Sequence, residues 1–396
     1  MSNLNYFGNV EPDDLFNPRH YERVRQPREN AETLPGWTYT SQAFFERERD
    51  TIFFKQWNCV GHVGRVPNVG SYITFDFIGV PLIVLRDDDG ELRAFINQCT
   101  HRGALLATDE GQCKQLKCPY HAWAFSLKGD LLGTPLFEEH ATFKKADHGL
   151  RQIRLETWAG LMWINFDAAS PSLLSHLGDL PERTAPWKLE DMVCVSRNER
   201  LIKANWKHVF ENYSDSYHVP FVHKTSLNFR SPRKRELHDT AIYKGNYIMH
   251  AAWFDGTRGV LPNESTLPQM ELPEELHGSF YPWVYPNTGM GFHSDIAWVA
   301  EVYPHGPDSY TRTRSFFVPQ ETAALPDFAE IFENYVRNSE IVNQEDVDIL
   351  ERQQVSVRSP AYKPGRFANM DRLVHDCQRW VLDHVLDERT ALRKVA

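Results

Sequence analysis

Long apolar runs are missing from this chain of 396 residues. It contains no window of about 18 consecutive apolar residues, so the sequence predicts no transmembrane helix. Residues 1–12 are polar and lack a basic stretch followed by an apolar core, so no secretory signal peptide is expected. Cysteine is also scarce, because the six cysteines are too few and too scattered for a disulfide framework. These absences predict a protein of the reducing cytoplasm.

An excess of positive charge is absent as well, since the formal net charge is −10 at pH 7. Proteins that bind nucleic acids need a basic surface to meet the phosphates, so no nucleic-acid partner is expected. The short basic run at 230–235 is more typical of a solvated loop than of a binding patch. The chain also lacks the G-x-G-x-x-G dinucleotide fingerprint and the plant-type ferredoxin spacing C-x4-C-x2-C. Electrons from a nicotinamide cofactor would therefore need a separate protein to deliver them.

Two of the cysteines are paired with histidines at short spacing. Cys99 and His101 form C-x-H, and after sixteen intervening residues Cys118 and His121 form C-x-x-H. In a Rieske [2Fe–2S] cluster, two cysteines bind one iron and two histidines bind the other. Each segment here offers one residue of each type, so two facing loops can supply both irons. A structural Cys2His2 zinc site is the alternative, but zinc fingers usually group their cysteines on one knuckle.

Turn residues separate short strand-like runs in the first half of the chain, at 57–63, 71–78, 81–86 and 92–97. This spacing predicts a meander of antiparallel strands, with the two Cys/His segments in its loops. After residue 170 helical patterns appear, a second group of strands follows, and long helices are predicted near 327–355 and 371–387. We predict an N-terminal segment over 1–42 that packs on the catalytic domain, a cluster-binding domain over 43–168, and the catalytic domain over 169–396.

A second group of ligand-type side chains begins at Asp215. Asp215 and His218 are three residues apart, so on a helix they share one face. A regular helix would turn His223 to another face, but Pro220 is expected to break the helix and bring His223 back toward His218. Two histidines and one carboxylate form the facial triad that holds non-haem Fe(II) and leaves positions open for dioxygen.

The third ligand is expected from the long helix near the C-terminus, which contains two aspartates. Asp346 shares an apolar stripe with Val342 and Leu350, whereas Asp348 shares a polar face with Glu351. Burying an unpaired carboxylate is costly, so an acid on an apolar stripe needs a compensating cation. We therefore predict Asp346 as the carboxylate ligand.

Taken together, these motifs resemble the oxygenase (α) component of the Rieske non-haem iron oxygenases over nearly the whole chain. The cluster motif matches, with Arg102-Gly103 after the first histidine. The D-x-x-H-x4-H motif of the family matches Asp215, His218 and His223. Its late E-D pair matches Glu345-Asp346, which supports Asp346 as the third iron ligand.

The resemblance implies an α+β fold, with an antiparallel β Rieske domain beside a catalytic domain whose large antiparallel sheet is flanked by helices. It implies two cofactors, a [2Fe–2S] cluster and Fe(II), and the substrates are dioxygen and a small molecule. A separate NAD(P)H-dependent reductase, with or without a ferredoxin, is the implied electron donor. The family is also built as a homotrimer in which Asp215 of one subunit, the expected catalytic residue, connects to His121 of the next.

Aromatic residues and the N-terminal part of the chain indicate a substrate class. Residues 34–40 and the general layout look similar to the betaine, carnitine and stachydrine oxygenases, although the carnitine enzymes carry Glu where this chain has Asp215. Aromatic rings attract an N-methylated ammonium group by cation–π interaction, and hydroxylation of an N-methyl group releases formaldehyde. The candidate pocket residues are Asn212, Trp253, Tyr281, Trp283, Phe292 and Trp298.

Two alternative functions stay open at this point. The first is hydroxylation or dihydroxylation of an aromatic ring or aromatic acid, which would stack on the same rings. The second is a non-catalytic Rieske electron carrier, which would have no use for the second ligand group.

Overall fold

The computed structural model describes residues 9–138, 142–227, 235–237 (backbone only), 244–253, 259–261 and 264–386. The chain divides into two compact units, a smaller one over Lys55–Leu173 and a larger one formed by Met1–Phe54 and Leu174–Ala396. Residues 43–54, which the sequence analysis grouped with the cluster-binding domain, therefore lie in the larger unit.

The smaller unit is built from short antiparallel strands. They are β1 (Asn58–His62), β2 (Ser71–Phe77), β3 (Val80–Arg86), β4 (Leu92–Ile96), β5 (Glu110–Gln112), β6 (Leu116–Lys117), β7 (Ala124–Phe125), β8 (Leu131–Gly133), β9 (Gln152–Trp158) and β10 (Leu161–Asn165). Seven of the described strands form one sheet in the order β1-β10-β9-β4-β3-β2-β5, and β6-β7-β8 form a second one. The predicted meander is thereby confirmed.

Two-residue turns set the register of the hairpins in this unit. Ile78-Gly79 joins β2 to β3, and Ala159-Gly160 joins β9 to β10, with positive φ at all four residues. Positive φ at both central positions is the type I′ geometry that matches the twist of paired strands. These tight hairpins join neighbouring strands directly, so the Cys/His segments lie in the longer connections between β4 and β9.

The larger unit contains an antiparallel sheet that is more extensive. Its strands are β11 (Val193–Ile202), β12 (Arg235–Leu237), β13 (Tyr247–Trp253), β14 (Gly278–Val284), β15 (Thr288–Phe292), β16 (Ala297–Gly306) and β17 (Ser309–Val318). Within the described residues their order is β11-β17-β16-β15-β14-β13-β12, so the first strand pairs with the last. Charged residues interrupt the apolar pattern of β11, and a proline interrupts that of β14.

Helices complete the larger unit. They are α1 (Trp37–Thr40), α2 (Gln42–Glu48), α3 (Leu173–Leu177, which begins at the last residue of the smaller unit), α4 (Leu180–Thr184), α5 (Trp206–Ser214), α6 (Val219–Val222), α7 (Gln320–Ala323), α8 (Phe328–Val357) and α9 (Arg372–Val385). A π-helical turn, Arg49–Phe53, extends α2. The predicted late helices are confirmed, although residue 387 lies outside the described part of the chain. None of the described helices is long and apolar enough to cross a membrane.

The structure corrects the predicted course of the chain after Trp206. The helix ends at Ser214, and Asp215 is already extended, with φ −101° and ψ 118°. Asp215 and His218 therefore do not sit on one helix. Pro220 does not break a helix either, because it lies in the first turn of α6, where a missing N–H costs nothing.

Candidate metal centres

The two Cys/His segments of the smaller unit adopt the same backbone turn. The Cys99 N–H donates to the Ala104 carbonyl at 2.8 Å, and the Cys118 N–H donates to the Trp123 carbonyl at 2.8 Å. In both segments the fifth residue has positive φ, +78° at Gly103 and +57° at Ala122. Two equivalent loops therefore present their cysteines in the same way, although the histidine stands one position later in the second loop.

The four candidate ligand side chains of these loops lie close together. Cys99 and Cys118 are both buried, and the rings of His101 and His121 lie 4.9 Å apart between centroids. His101 stacks on the indole of Trp123 at 4.6 Å, which fixes the orientation of the imidazole. These four residues thus offer two sulfur and two nitrogen donors within one small region.

One atom of this group needs a partner that the described residues do not supply. The Nδ1 atom of His101 is buried and makes no hydrogen bond. Burial also raises the pKa of the Cys99 thiol, so the uncharged form is favoured unless a metal ion replaces the proton. An unpaired nitrogen beside two buried sulfurs matches the donor set of a Rieske cluster.

The second candidate centre lies in the larger unit, between the segment around α6 and helix α8. The Nε2 atom of His223 is 3.1 Å from Oδ1 of Asp346, and the Nε2 atom of His218 is 3.6 Å from the same oxygen. One ligand atom from each residue lies within 4.8 Å of the others. Three donors at this spacing can bind one ion and leave part of its coordination shell open.

A carboxylate holds each of the two imidazoles from the other side. The Nδ1 atom of His218 lies 3.1 Å from Oδ2 of Asp215, and the Nδ1 atom of His223 lies 2.7 Å from Oε2 of Glu345. Ser226 donates its hydroxyl to the same Glu345 oxygen. With a metal ion bound, these contacts would hold the ring protons on Nδ1 and leave the Nε2 atoms of both imidazoles as donors to the ion beside Asp346.

The electrostatics of this group favour a bound cation. Burial by itself would raise the pKa of Asp346, but the hydrogen bond from His223 and the nearby imidazoles hold that pKa below its usual value. Burial would lower the pKa of His223, yet Asp346 and Glu345 raise it above its usual value. Three carboxylates surround two imidazoles here, so the group carries a negative charge that a divalent ion can neutralise.

Asp346 and Asp348 are separated as the helical pattern predicts. Asp346 faces the histidines and accepts a hydrogen bond of 3.3 Å from the Asn212 amide. Asp348 is exposed and accepts a hydrogen bond from Gln344 on its own helix. Among the described residues, the structure thus brings Asp346 to His218 and His223 and leaves Asp348 in solvent.

A cavity of about 200 Å³ opens beside this centre. Three of the predicted pocket residues line it, namely Asn212, Tyr281 and Trp298. The wall also contains residues that the sequence analysis did not propose as pocket residues, among them Tyr213, His250, His293, Arg314, Ser339 and Asn343. His293 accepts a hydrogen bond from the Trp298 indole N–H.

The other three predicted pocket residues do not line the cavity. Trp283 packs under helix α5, where it stacks on Phe210 at 5.6 Å between centroids. Trp253 packs against Phe280, whose cross-strand partner is Phe292. A sheet that is covered on both faces directs only part of its aromatic residues to one cavity, and composition alone cannot tell which part.

Comparisons with known proteins agree with this division into two centres. Residues 56–144 match the model of the Rieske [2Fe-2S] domain, and residues 148–387 match that of the ring-hydroxylating alpha subunit (catalytic domain). Carnitine monooxygenase oxygenase subunit of Escherichia coli K12 is 28% identical over 358 residues, which cover 90% of this chain and 91% of the relative. Choline monooxygenase of Atriplex hortensis, a chloroplastic protein, is 27% identical over 365 residues, covering 90% and 78%.

Solved structures show the same fold. A quaternary ammonium Rieske monooxygenase in complex with L-carnitine superposes with a TM-score of 0.77 at 24% identity, over 92% of this chain and 98% of the other. Naphthalene 1,2-dioxygenase from Rhodococcus sp., bound to indole, gives a TM-score of 0.75 at 20% identity, over 96% and 100%. The expected α+β architecture is confirmed.

Proposed function

The chain belongs to the family of ring-hydroxylating alpha subunits with a Rieske domain, and we propose that it oxidises an N-methylated quaternary ammonium compound. The observation that carries the proposal is the convergence of His218, His223 and Asp346 on a cavity with aromatic walls. A Rieske electron carrier without catalysis would need neither that convergence nor the cavity.

We assign the ligands of the two cofactors as follows. Cys99, His101, Cys118 and His121 hold the [2Fe–2S] cluster, and His218, His223 and Asp346 hold Fe(II). When bound, the cluster supplies single electrons and the ferrous ion activates dioxygen. The residues of the chain contribute by positioning: Asp215 and Glu345 fix the two imidazoles, and Asn212 holds Asp346 by a hydrogen bond.

The proposed reaction is hydroxylation of an N-methyl group. One oxygen atom of dioxygen enters a methyl C–H bond, and the other leaves as water with two protons and two electrons derived from NAD(P)H. The resulting N-hydroxymethyl group loses formaldehyde and a proton, which leaves the tertiary amine. Similarity to the carnitine and choline monooxygenases supports this substrate class. Tyr213 and Tyr281 line the cavity, and aromatic rings are the side chains that attract a methylated ammonium group.

Electrons are proposed to arrive from a separate NAD(P)H-dependent reductase, with or without a ferredoxin. The sequence has no dinucleotide fingerprint and no plant-type ferredoxin spacing of its own. The cluster would receive one electron at a time and therefore serves as the entry point for the oxygenase.

We further propose that the active form is a homotrimer in which His121 of one subunit meets Asp215 of the next. Exposed aromatic side chains flank both residues: Tyr120 is 60% exposed beside His121, while Tyr217 and Phe221 are 48% and 62% exposed near Asp215. Exposed aromatic groups are enriched at protein interfaces. The structure of a related quaternary ammonium Rieske monooxygenase was described as revealing inter-subunit electron transfer in that protein, which supports the same arrangement here.

A direct test combines metal analysis with oxygen uptake. The purified protein should contain two cluster irons and one further iron per chain, and it should show the absorption bands of a Rieske cluster. With a reductase, betaines and other trimethylammonium compounds should stimulate oxygen uptake together with stoichiometric formaldehyde. Stimulation by aromatic acids without formaldehyde would show that ring hydroxylation is the correct function instead. Zinc in place of iron would contradict both.

A further inference from the structure

The cavity wall contains a buried arginine that lacks an acidic partner. Arg314, on β17, donates an Nη1 hydrogen bond of 2.7 Å to the Ser339 hydroxyl. Its guanidinium lies 4.4 Å from the ring centroid of Trp298. Its Nε–H group is buried and has no hydrogen-bond partner among the described residues. Over the same residues, no carboxylate lies within ion-pair distance of the guanidinium, and Asp346 pairs with the two histidines instead.

A buried charge of this kind is costly unless an anion accompanies it. Burial and the neighbouring charge of Arg312 lower the pKa of Arg314 to about 9, which still leaves the guanidinium protonated at neutral pH. The wall of the cavity therefore carries a positive charge that has no anionic partner among the described residues. A guanidinium can offer two parallel N–H groups to a carboxylate, which gives both strength and orientation.

We propose that Arg314 binds a carboxylate of the substrate and so determines which quaternary ammonium compounds the cavity accepts. This inference rests on the proposed function and narrows it. The substrate would be a zwitterion, with a trimethylammonium group at one end and a carboxylate at the other, rather than an amino alcohol. Arg314 acts as a specificity-determining residue, and Ser339 positions it.

The spacing of the helix fits a substrate with two separated ends. Ser339 and Asp346 are seven residues apart on α8, so they share a face and lie about 10 Å apart along the helix axis. A carboxylate held at Arg314 would thus direct the rest of the molecule along the helix toward the proposed iron ligand. An extended chain of several bonds between the two charged groups suits this distance.

Trp298 takes a different role from the one expected from the sequence. One face of its ring is already covered by the guanidinium of Arg314. A second cation near that face would be repelled by the first, so Trp298 supports the anion site instead of holding the ammonium group. Tyr213 and Tyr281 remain as the aromatic residues for the ammonium group.

The test compares two ligands that differ only in the charge of one end. These are 4-(trimethylammonio)butanoate and the corresponding carboxamide, titrated calorimetrically into the iron-loaded protein. The wild-type protein should prefer the carboxylate. In the Arg314→Gln variant, affinity for the carboxylate should fall about a hundredfold, while affinity for the carboxamide should change by less than about threefold.

Arg312 provides a matched control. It lies two residues earlier on β17, is also buried, and is not among the residues that line the cavity. Arg312→Gln removes a buried charge of the same kind, so it should leave the preference for the carboxylate unchanged. If Arg314→Gln fails to fold, Arg314→Lys keeps the charge but not the bidentate donor. It should lose affinity for the carboxylate ligand, by a smaller factor, and keep its affinity for the carboxamide.

The outcomes separate this inference from the proposed function. Equal affinity of the wild-type protein for both ligands, or equal losses for both in Arg314→Gln, would overturn the carboxylate site and leave quaternary ammonium oxidation intact. Binding of benzoate but of neither ammonium compound, lost in Arg314→Gln, would support the anion site and refute the ammonium substrate.

Discussion

The Nδ1 atom of His223 lies 2.7 Å from Oε2 of Glu345, the residue that directly precedes Asp346. Two adjacent acids on one helix thus contact the two nitrogens of the same imidazole, because Asp346 lies 3.1 Å from Nε2. A single turn of α8 therefore supplies both a proposed iron ligand and the carboxylate that orients another ligand. A shift of this turn would disturb both contacts at once.

We predict that Glu345→Ala weakens iron binding about 10- to 100-fold, because His223 loses the partner that fixes its tautomer and orientation. Iron bound per chain, measured against a competing chelator, should fall while the absorption of the Rieske cluster stays unchanged. Asp348→Ala is the matched control, since Asp348 is an exposed acid on the same helix. Unchanged iron affinity in Glu345→Ala would contradict the positioning role.

Replacement of Asp215 should separate metal binding from catalysis. Asp215 contacts His218 from the side away from Asp346 and lies on a segment with exposed aromatic residues. Asp215→Ala should keep the cluster and most of the iron but reduce coupled formaldehyde formation to background. Asp215→Glu retains a carboxylate and should recover part of the activity. Full activity in Asp215→Ala would refute the proposed connection between subunits.

Mixed trimers test that connection more directly. A Cys118→Ser chain lacks a cluster ligand, and a His223→Ala chain lacks an iron ligand, so each should be inactive alone. Coexpression should restore part of the activity, because the intact cluster of one chain can then serve the intact iron centre of its neighbour. The two proteins mixed after separate assembly are the control and should stay inactive. Absence of activity in purified mixed trimers would indicate transfer within one subunit.

A buried ion pair stabilises the larger unit near helix α5. Lys207 and Glu48 are both 0% exposed, with 2.7 Å between Nζ and Oε1, and the Trp206 indole donates to the second oxygen of Glu48. Lys207→Met leaves this carboxylate without its cation, so we expect a loss of about 3–5 kcal/mol in the free energy of unfolding. Urea denaturation measures the loss.

Two comparisons complete this prediction. The double variant Glu48→Gln/Lys207→Met removes both charges and should be more stable than Lys207→Met alone. Arg358→Met removes one partner of an exposed pair with Asp308 and should cost less than about 1 kcal/mol. Equal stability of the single and double variants would show that the unpaired charge is not the cause of the loss.

Local spacing in the sequence was enough to indicate which residues meet. The C-x-H and C-x-x-H segments and the apolar stripe of α8 depend only on neighbours a few residues away, so the approach of Asp346 to His218 and His223 could be anticipated. The course of the backbone from Ser214 to His223 could not be anticipated. Helix α5 ends at Ser214, and Asp215 then turns toward His218. Pro220 was read as a helix breaker and is a helix starter.

The composition of the cavity wall was harder to predict. Tyr281 and Trp283 stand two apart on β14 and both contact Tyr213 of α5, yet only Tyr281 lines the cavity. Arg314 was overlooked because arginines at alternate positions, as at 312 and 314, ordinarily indicate the solvent-exposed face of a strand. Which side chains a cavity receives depends on packing between elements that are distant in sequence.

The stability of the larger unit should depend on pH through His176. This imidazole on α3 is partly buried, donates from Nε2 to the Tyr285 carbonyl at 3.0 Å, and has a pKa lowered by desolvation to about 4. Between pH 6.5 and pH 4 the imidazole is therefore protonated in the unfolded chain and neutral in the folded chain. The free energy of unfolding then falls as the pH falls, by up to about 1.4 kcal/mol per pH unit. His176→Gln should remove this part of the slope in urea titrations from pH 7 to pH 4.5, whereas replacement of the exposed His305 should leave it unchanged. Parallel slopes for the wild-type protein and His176→Gln would show that His176 does not contribute.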